Sequence, residues 1–271
     1  MARNVSAEVA AAHRLVVVKP LSAQRRPHLL LVRAGRRSVH RALYPLPAQR
    51  SWDLALSCYE EPDAIDLAQA DLVTTGAVTK WDAFAQMRFG APGFGFERYE
   101  YMCLADDDVV FRDAGDIDRL FAIAREHGLS VSQPSLTPES HAFWFITRHH
   151  PSWLLRFTNF VECMAPVFSA EAIELLREDL CAAVSGCGLD LIFHKVLGPD
   201  RRLAVIDAVA VTHAAPIDPD NGPFYRFLRS IGVEPMEETT WFLAKYGLAG
   251  IDAITLGGIP LAQPFYPPKA G

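Results

Sequence analysis

An open α/β sheet flanked by helices is what three features of this 271-residue chain predict. Strand-length apolar runs alternate with segments of helical period through about residue 215, as in folds whose helices pack across a sheet. The run Tyr99 to Ala105 leads into three carboxylates, Asp106, Asp107 and Asp108, and then into Val109-Val110, which places the acids at a sheet's carboxyl edge. Half of the residues are hydrophobic, enough to fill a large core.

The elements follow in order. Residues 1–26 read as an extension, mildly helical to Ala12 and carrying one apolar run, Leu15 to Val18. His28 to Val32 is a compact buried strand, followed by Arg33-Ala-Gly and a short helix from Ser38 to Leu43. Trp52 to Tyr59 and Asp71 to Thr75 are the next two strands. Thr79-Lys-Trp opens a helix with Trp81, Phe84, Ala85 and Phe89 near helical spacing, and the Gly/Pro stretch from Gly90 to Gly95 ends it. Ile117, Leu120, Phe121 and Ala124 mark one face of a further helix, with Asp116 as its expected cap and Gly128 as its stop.

Leu129 to Leu136 returns as a strand, interrupted at Pro134. The alternation of His141, Phe143, Phe145 and Thr147 predicts a strand within 138–150, and another is expected at Val161 to Ala165. Ser169 caps a helix whose buried row is Ile173, Leu176 and Leu180, and Leu189 to Leu197 is a short helix closed by Gly198-Pro199. Leu203 to Thr212 alternates as a strand ending at His213. The division expected is an extension (1–26), a catalytic domain (27–216), and a helical appendage with a Pro-rich tail packed on it (217–271).

The formal net charge of −6, with no dense Lys/Arg stripe, speaks against nucleic-acid binding. No apolar run approaches the roughly 18–20 residues that span a bilayer. The first residues lack a signal-peptide core, and the five cysteines are scattered without CxxC spacing. That usage predicts reduced thiols in a cytoplasmic protein rather than a zinc site.

The acid triplet carries the chemistry. Side chains alternate along a strand, so Asp106 and Asp108 share one side and Asp107 points away. Two such charges roughly 6–7 Å apart repel by about 2–3 kcal/mol at an effective dielectric near 20. A hard divalent cation, Mg²⁺ or Mn²⁺, removes that penalty. The alternative is a solvated acidic turn capping the next helix. Ligands in open α/β sheets bind beyond the strands' carboxyl ends, where Asp108 and His213 both fall.

Six stretches occur in a telling order: Thr79-Lys-Trp; Asp106-x-Asp108; Gly128-Leu-Ser-Val-Ser-Gln-Pro-Ser-Leu136; Glu162-x-Met-Ala-Pro-Val-Phe-Ser169; Gly188-Leu-Asp190; and Val205-Ile-Asp-x-x-x-Val-x-His213. Over residues 28–216 the chain resembles the family catalogued as domain of unknown function 707, which is distantly similar to GT-A-fold glycosyltransferases. The middle acid is Asp107 where the family more often carries Glu, which leaves the Asp-x-Asp pair intact. The resemblance implies a GT-A-like mixed, mostly parallel central sheet with a Rossmann-like nucleotide-binding half. It further implies a metal-dependent transferase that moves a sugar from a UDP- or GDP-linked donor to a carbohydrate or other hydroxyl acceptor.

On that reading Asp108 is a direct ligand of Mn²⁺ or Mg²⁺, and Asp106 touches the metal, its waters or the ribose. His213 completes the site; its plain alternative is a strand-end histidine bonded to a neighbour. Asp190 is the candidate general base, and a single base carboxylate favours inversion. Its plain alternative is an acid favoured by the helix dipole. Glu162 competes: it orients the acceptor, acts as base itself, or pairs with an internal Arg. Lys80 is expected to reach the diphosphate, while Trp81 lies either beneath it or in the core. Arg33, Gly35 and Ser38 follow the first strand, where a nucleotide would lie, and Gln133 is a candidate sugar or acceptor contact. The competing classes are a nucleotidyltransferase, a metal-dependent phosphohydrolase and a non-catalytic nucleotide- or sugar-binding protein of the same fold.

Overall fold

The computed structural model describes residues 7–90 and 94–267. The chain runs α1 (Ala7–Ala12), β1 (Val16–Lys19), β2 (His28–Ala34), β3 (Trp52–Cys58), α2 (Ala64–Gln69), β4 (Leu72–Thr75), α3 (Lys80–Phe89), β5 (Tyr101–Ala105), β6 (Val109–Val110) and α4 (Ala114–Glu126). It continues with β7 (Val131–Leu136), β8 (Trp153–Thr158), β9 (Val167–Ser169), α5 (Ala170–Leu175), α6 (Arg177–Ala182), α7 (Leu189–Leu197), β10 (Leu203–His213), α8 (Pro223–Ser230), α9 (Pro235–Tyr246) and β11 (Thr255–Pro260).

The expected mixed α/β architecture is present. The strand order is β1-β4-β3-β2-β5-β9-β7-β10-β8-β11, with β6 paired to β10. β4, β3, β2 and β5 are mutually parallel, as are β7 and β10. β9 joins these two groups by antiparallel pairing to β5 and β7. β3 and β5 are buried along their whole length, as strands covered on both faces must be. Alternate residues therefore feed two cores. Leu30, Val32, Leu54 and Cys103 pack with Ile117, Leu120 and Phe121 of α4. Leu29, Leu31, Met102 and Leu104 pack with Trp81 and Phe84 of α3, Ile192 and Phe193 of α7, and Phe242 of α9.

Several local expectations change. The segment 161–165 is not a strand: side chains take much of its backbone, and its backbone bond to the neighbouring segment runs from the Asp106 N–H to the Met164 carbonyl at 2.9 Å. The Glu162 N–H donates to the Gln133 side chain, and Lys80 donates to the carbonyls of Cys163 and Met164. The strand lies just after it, at Val167–Ser169. The 138–150 segment is a loop with one 3₁₀ turn at Phe145–Thr147 and a single bridge between Leu136 and Arg148. α4 is capped by Asp113 rather than Asp116; the Asp113 carboxylate accepts from the Asp116 N–H at 3.0 Å. Within the Pro-rich tail, β11 adds an edge strand antiparallel to β8. The stretch expected to end α3 partly falls outside the described residues, although the Gly90 cap lies within them.

One buried ion pair braces the far half of the sheet. Asp207, fully buried on β10, accepts from Arg156 of β8 through Nε at 2.7 Å and Nη2 at 3.0 Å, and from the His150 N–H at 2.9 Å. Removing one partner strands the other charge. Asp207→Ala is expected to cost about 3–5 kcal/mol in urea unfolding.

The described residues contain no helix long and apolar enough to cross a membrane. None of the five cysteines, all among the described residues, forms a disulfide.

Candidate active site

The acid triplet lies at the carboxyl end of β5, as expected, and forms a turn there. β5 leaves the sheet after Ala105, the chain reverses through Asp106 to Asp108, and β6 then pairs antiparallel with the end of β10. That register sets His213 opposite Val109, and the Ala214 N–H donates to the Asp108 carbonyl at 3.0 Å. Two residues about a hundred apart in the chain are thereby forced together: His213 Nε2 lies 3.2 Å from Asp108 Oδ2.

The other ring nitrogen of His213 is already committed. Nδ1 lies 2.8 Å from the His141 carbonyl, which can only accept, so the proton sits on Nδ1 and Nε2 faces Asp108. Burial pulls the imidazole's pKa down, but the hydrogen bond and charge of Asp108, the His141 carbonyl and the charge of Asp106 outweigh it and leave it raised.

Asp106 and Asp107 diverge from this contact. Asp106 Oδ1 is 2.7 Å from Lys80 Nζ, and that ammonium also bonds the carbonyls of Leu104, Cys163 and Met164. Four acceptors occupy all three donors of Lys80, so this lysine serves Asp106 and the backbone instead of standing free for a diphosphate. Burial raises the Asp106 pKa, Lys80 opposes the rise, and Asp108 adds to it. Asp107 turns toward Tyr59 and Ser38, whose hydroxyls donate to its Oδ2.

The end of β2 and the loop after it also bond to protein. Arg33 donates to Ser57 and to the carbonyls of Ala77 and Val78. Ser38 Oγ accepts from the Gly35 N–H at 2.7 Å, and a Cβ on Gly35 would fall 2.3 Å from the Tyr59 ring. Gln133 is buried and uses its carbonyl on the Glu162 N–H, so it braces Glu162 and does not face a sugar. Trp81 belongs to the core, at 2% exposure.

Two further carboxyls complete the cluster. Glu162 is 6% exposed, and its Oε2 has no hydrogen-bond partner among the described residues. Burial, reinforced by the charge of Asp190 and opposed by those of His213 and Lys80, pushes its pKa up to about 8. Asp190 sits in the first turn of α7, and burial pushes it up to about 7 against the pull of the Leu191, Asp190 and Gly188 backbone N–H groups. Glu162 thus lies within electrostatic reach of Asp190, His213, Asp106 and Lys80.

Sequence reasoning missed three members of this surround. Cys163 and Cys187 are thiols whose pKa values burial raises, and both lie in the fields of Asp190 and Asp106. Tyr225 of α8 is raised to about 12 by burial, then by Cys187, Asp106 and Glu162. Only the topology brings α8 over the acids; no local pattern marks that tyrosine.

Among the described residues no group of three or more His, Cys, Asp or Glu side chains is placed to hold a metal ion. The Asp108 carboxylate and the His213 imidazole could nonetheless serve a divalent ion as two ligands. Ligands at about 2.1 Å in cis octahedral positions are about 3.0 Å apart, close to the 3.2 Å between Asp108 and His213. Mg²⁺-like ions take their remaining ligands from water and phosphate.

Solved structures similar to this chain include a mannosyltransferase, PcManGT from Pyrobaculum calidifontis, in complex with GDP-Man and Mn²⁺ (10% identity, 90% of this chain, 82% of that one, TM-score 0.47). Another is GalNAc-T7 with UDP, GalNAc and Mn²⁺ (12% identity, 82% of this chain, 51% of that one, TM-score 0.45). A third is the inositol-1-phosphate CTP transferase from T. maritima (11% identity, 78% of this chain, 98% of that one, TM-score 0.36). No family model matches the chain, and no curated protein matches it.

Proposed function

We propose that this chain is a metal-dependent glycosyltransferase of GT-A type that moves a sugar from a nucleotide-sugar donor to a hydroxyl acceptor. The observation that carries the reading is the Asp108–His213 contact, with the Nδ1 proton of His213 held by a carbonyl and Asp106 braced behind it by Lys80. Asp108 and His213 Nε2 would hold Mn²⁺ or Mg²⁺, with Asp106 reaching it or its waters. A divalent cation bound there supplies Lewis-acid and electrostatic stabilisation of the departing diphosphate.

The rest falls to the chain's own groups. Asp190, ionising near 7, takes the proton of the acceptor hydroxyl as its oxygen bonds to the sugar's anomeric carbon and the bond to the diphosphate breaks. Glu162, protonated at neutral pH, donates a hydrogen bond where Asp190 accepts one, and so orients the acceptor. With one ionised base the outcome is inversion. A nucleotidyltransferase is disfavoured, because Arg33, Gly35 and Ser38 bond to protein and build no phosphate loop.

Calorimetric titration of UDP and GDP with and without Mn²⁺ tests the proposal. Binding is expected only with the metal and stronger for one base, with slow metal-dependent hydrolysis of the matching nucleotide sugar. Equal binding without metal would remove the basis of the reading.

A further inference from the structure

Asp190 follows directly on a short loop that α9 grips. Glu238 of α9 is 5% exposed, a costly place for a carboxylate unless it is fully satisfied. Its Oε2 accepts from the N–H groups of Val184 and Ser185, each at 3.0 Å, and its Oε1 accepts from the Gly186 N–H at 2.8 Å. Three successive amides converging on one carboxylate form an anion nest, here filled from within the protein. The opposite side of the loop is held as well: Thr79 Oγ1, at the cap of α3, donates to the Val184 carbonyl at 2.6 Å.

The loop is packed closely enough that two of its positions must be glycine. A Cβ on Gly186 would lie 1.8 Å from Trp81 Nε1, and one on Gly188 would lie 2.8 Å from Thr239 Cα, next to Glu238 on α9. Both glycines have φ in the left-handed region, +82° and +91°. The Leu189 N–H then donates to the Gly186 carbonyl at 3.2 Å, so the first turn of α7, with Asp190 in it, is built directly on the clamped residues.

We infer that Glu238 is a positioning residue: by binding the backbone of residues 184–186 it fixes the loop that aims Asp190 at the acceptor. The inference rests on the glycosyltransferase reading for what Asp190 does, and on the loop's contacts alone for what Glu238 does. It makes the segment after residue 216, which reads as an appendage, part of the catalytic apparatus.

Hydrogen exchange and steady-state kinetics on the full chain test it, with Glu238→Ala, Glu238→Gln and a core control, Ile173→Val on α5. In Glu238→Ala the amides of residues 184–186 are expected to exchange at least about tenfold faster and kcat to fall at least about tenfold, while the affinity for Mn²⁺ with nucleoside diphosphate stays within about twofold. Glu238→Gln, which keeps one acceptor oxygen, should fall between. The control should lower the melting temperature without moving either readout. If Glu238→Ala does not fold, Glu238→Gln carries the same comparison. Unchanged exchange at 184–186, faster exchange with kcat retained, or a parallel loss of nucleotide affinity would each overturn the proposal. A wild-type chain that binds no nucleotide overturns the transferase reading, and the catalytic role of Glu238 with it, whatever the exchange shows.

Discussion

Asp108→Ala is expected to weaken metal-dependent binding of nucleoside diphosphate by at least about 100-fold, measured by calorimetry in the presence of Mn²⁺. The substitution removes the carboxylate 3.2 Å from His213 Nε2 and, among the described residues, leaves the imidazole without an ion-pair partner. The fold should survive, because the contacts that hold β6 to β10 are backbone bonds, including Ala214 N–H to the Asp108 carbonyl. Binding without metal should be as weak in the wild type as in the variant. Retained Mn²⁺-dependent binding in Asp108→Ala would take the metal away from this turn.

Asp190→Asn is expected to separate chemistry from binding. An amide cannot take a proton, so kcat should fall by about 10²–10⁴ while nucleotide affinity changes little. In the wild type kcat should rise with pH, flattening above about 7, where the Asp190 carboxyl ionises. The same group sets a stability trend of opposite sense. Its pKa is raised in the folded state, so its contribution is full below about 4, its unfolded range, and is lost as pH rises through about 7. Asp190→Asn does not carry that loss and should therefore be more stable than the wild type at pH 8, by about 1–3 kcal/mol in urea unfolding. A variant that is inactive yet more stable at alkaline pH is what a strained base leaves behind. Full turnover in Asp190→Asn would transfer the base role to Glu162.

The repetitive parts of the fold were legible in the sequence for simple reasons. β3 and β5 are buried on both faces, so they read as unbroken apolar runs, and α4 shows its buried row at helical spacing. The acid triplet was legible as a carboxyl-edge feature, but the reversal into β6 was not, since a two-residue strand has no period to read. Segment 161–165 looked like a strand because it is apolar. Two of its backbone partners, Lys80 and Gln133, are side chains some 80 and 30 residues away, and neighbouring residues give no sign of them. Lys80 itself was legible as a site residue, expected on the diphosphate, but not its contact with Asp106 nor the three carbonyls that share its ammonium. Glu238 was invisible. Acids belong in a helix's first turn on dipole grounds alone, and the amides it binds lie more than fifty residues earlier in the chain.

A crystal of the protein grown with MnCl₂ and a nucleoside diphosphate, measured at the manganese absorption edge, would decide the matter. One anomalous peak is expected within about 2.0–2.4 Å of both an Asp108 carboxylate oxygen and His213 Nε2, touching the diphosphate on its open side. A peak held elsewhere, or a diphosphate seated with no metal between it and that turn, would contradict everything built on the pairing of Asp108 with His213.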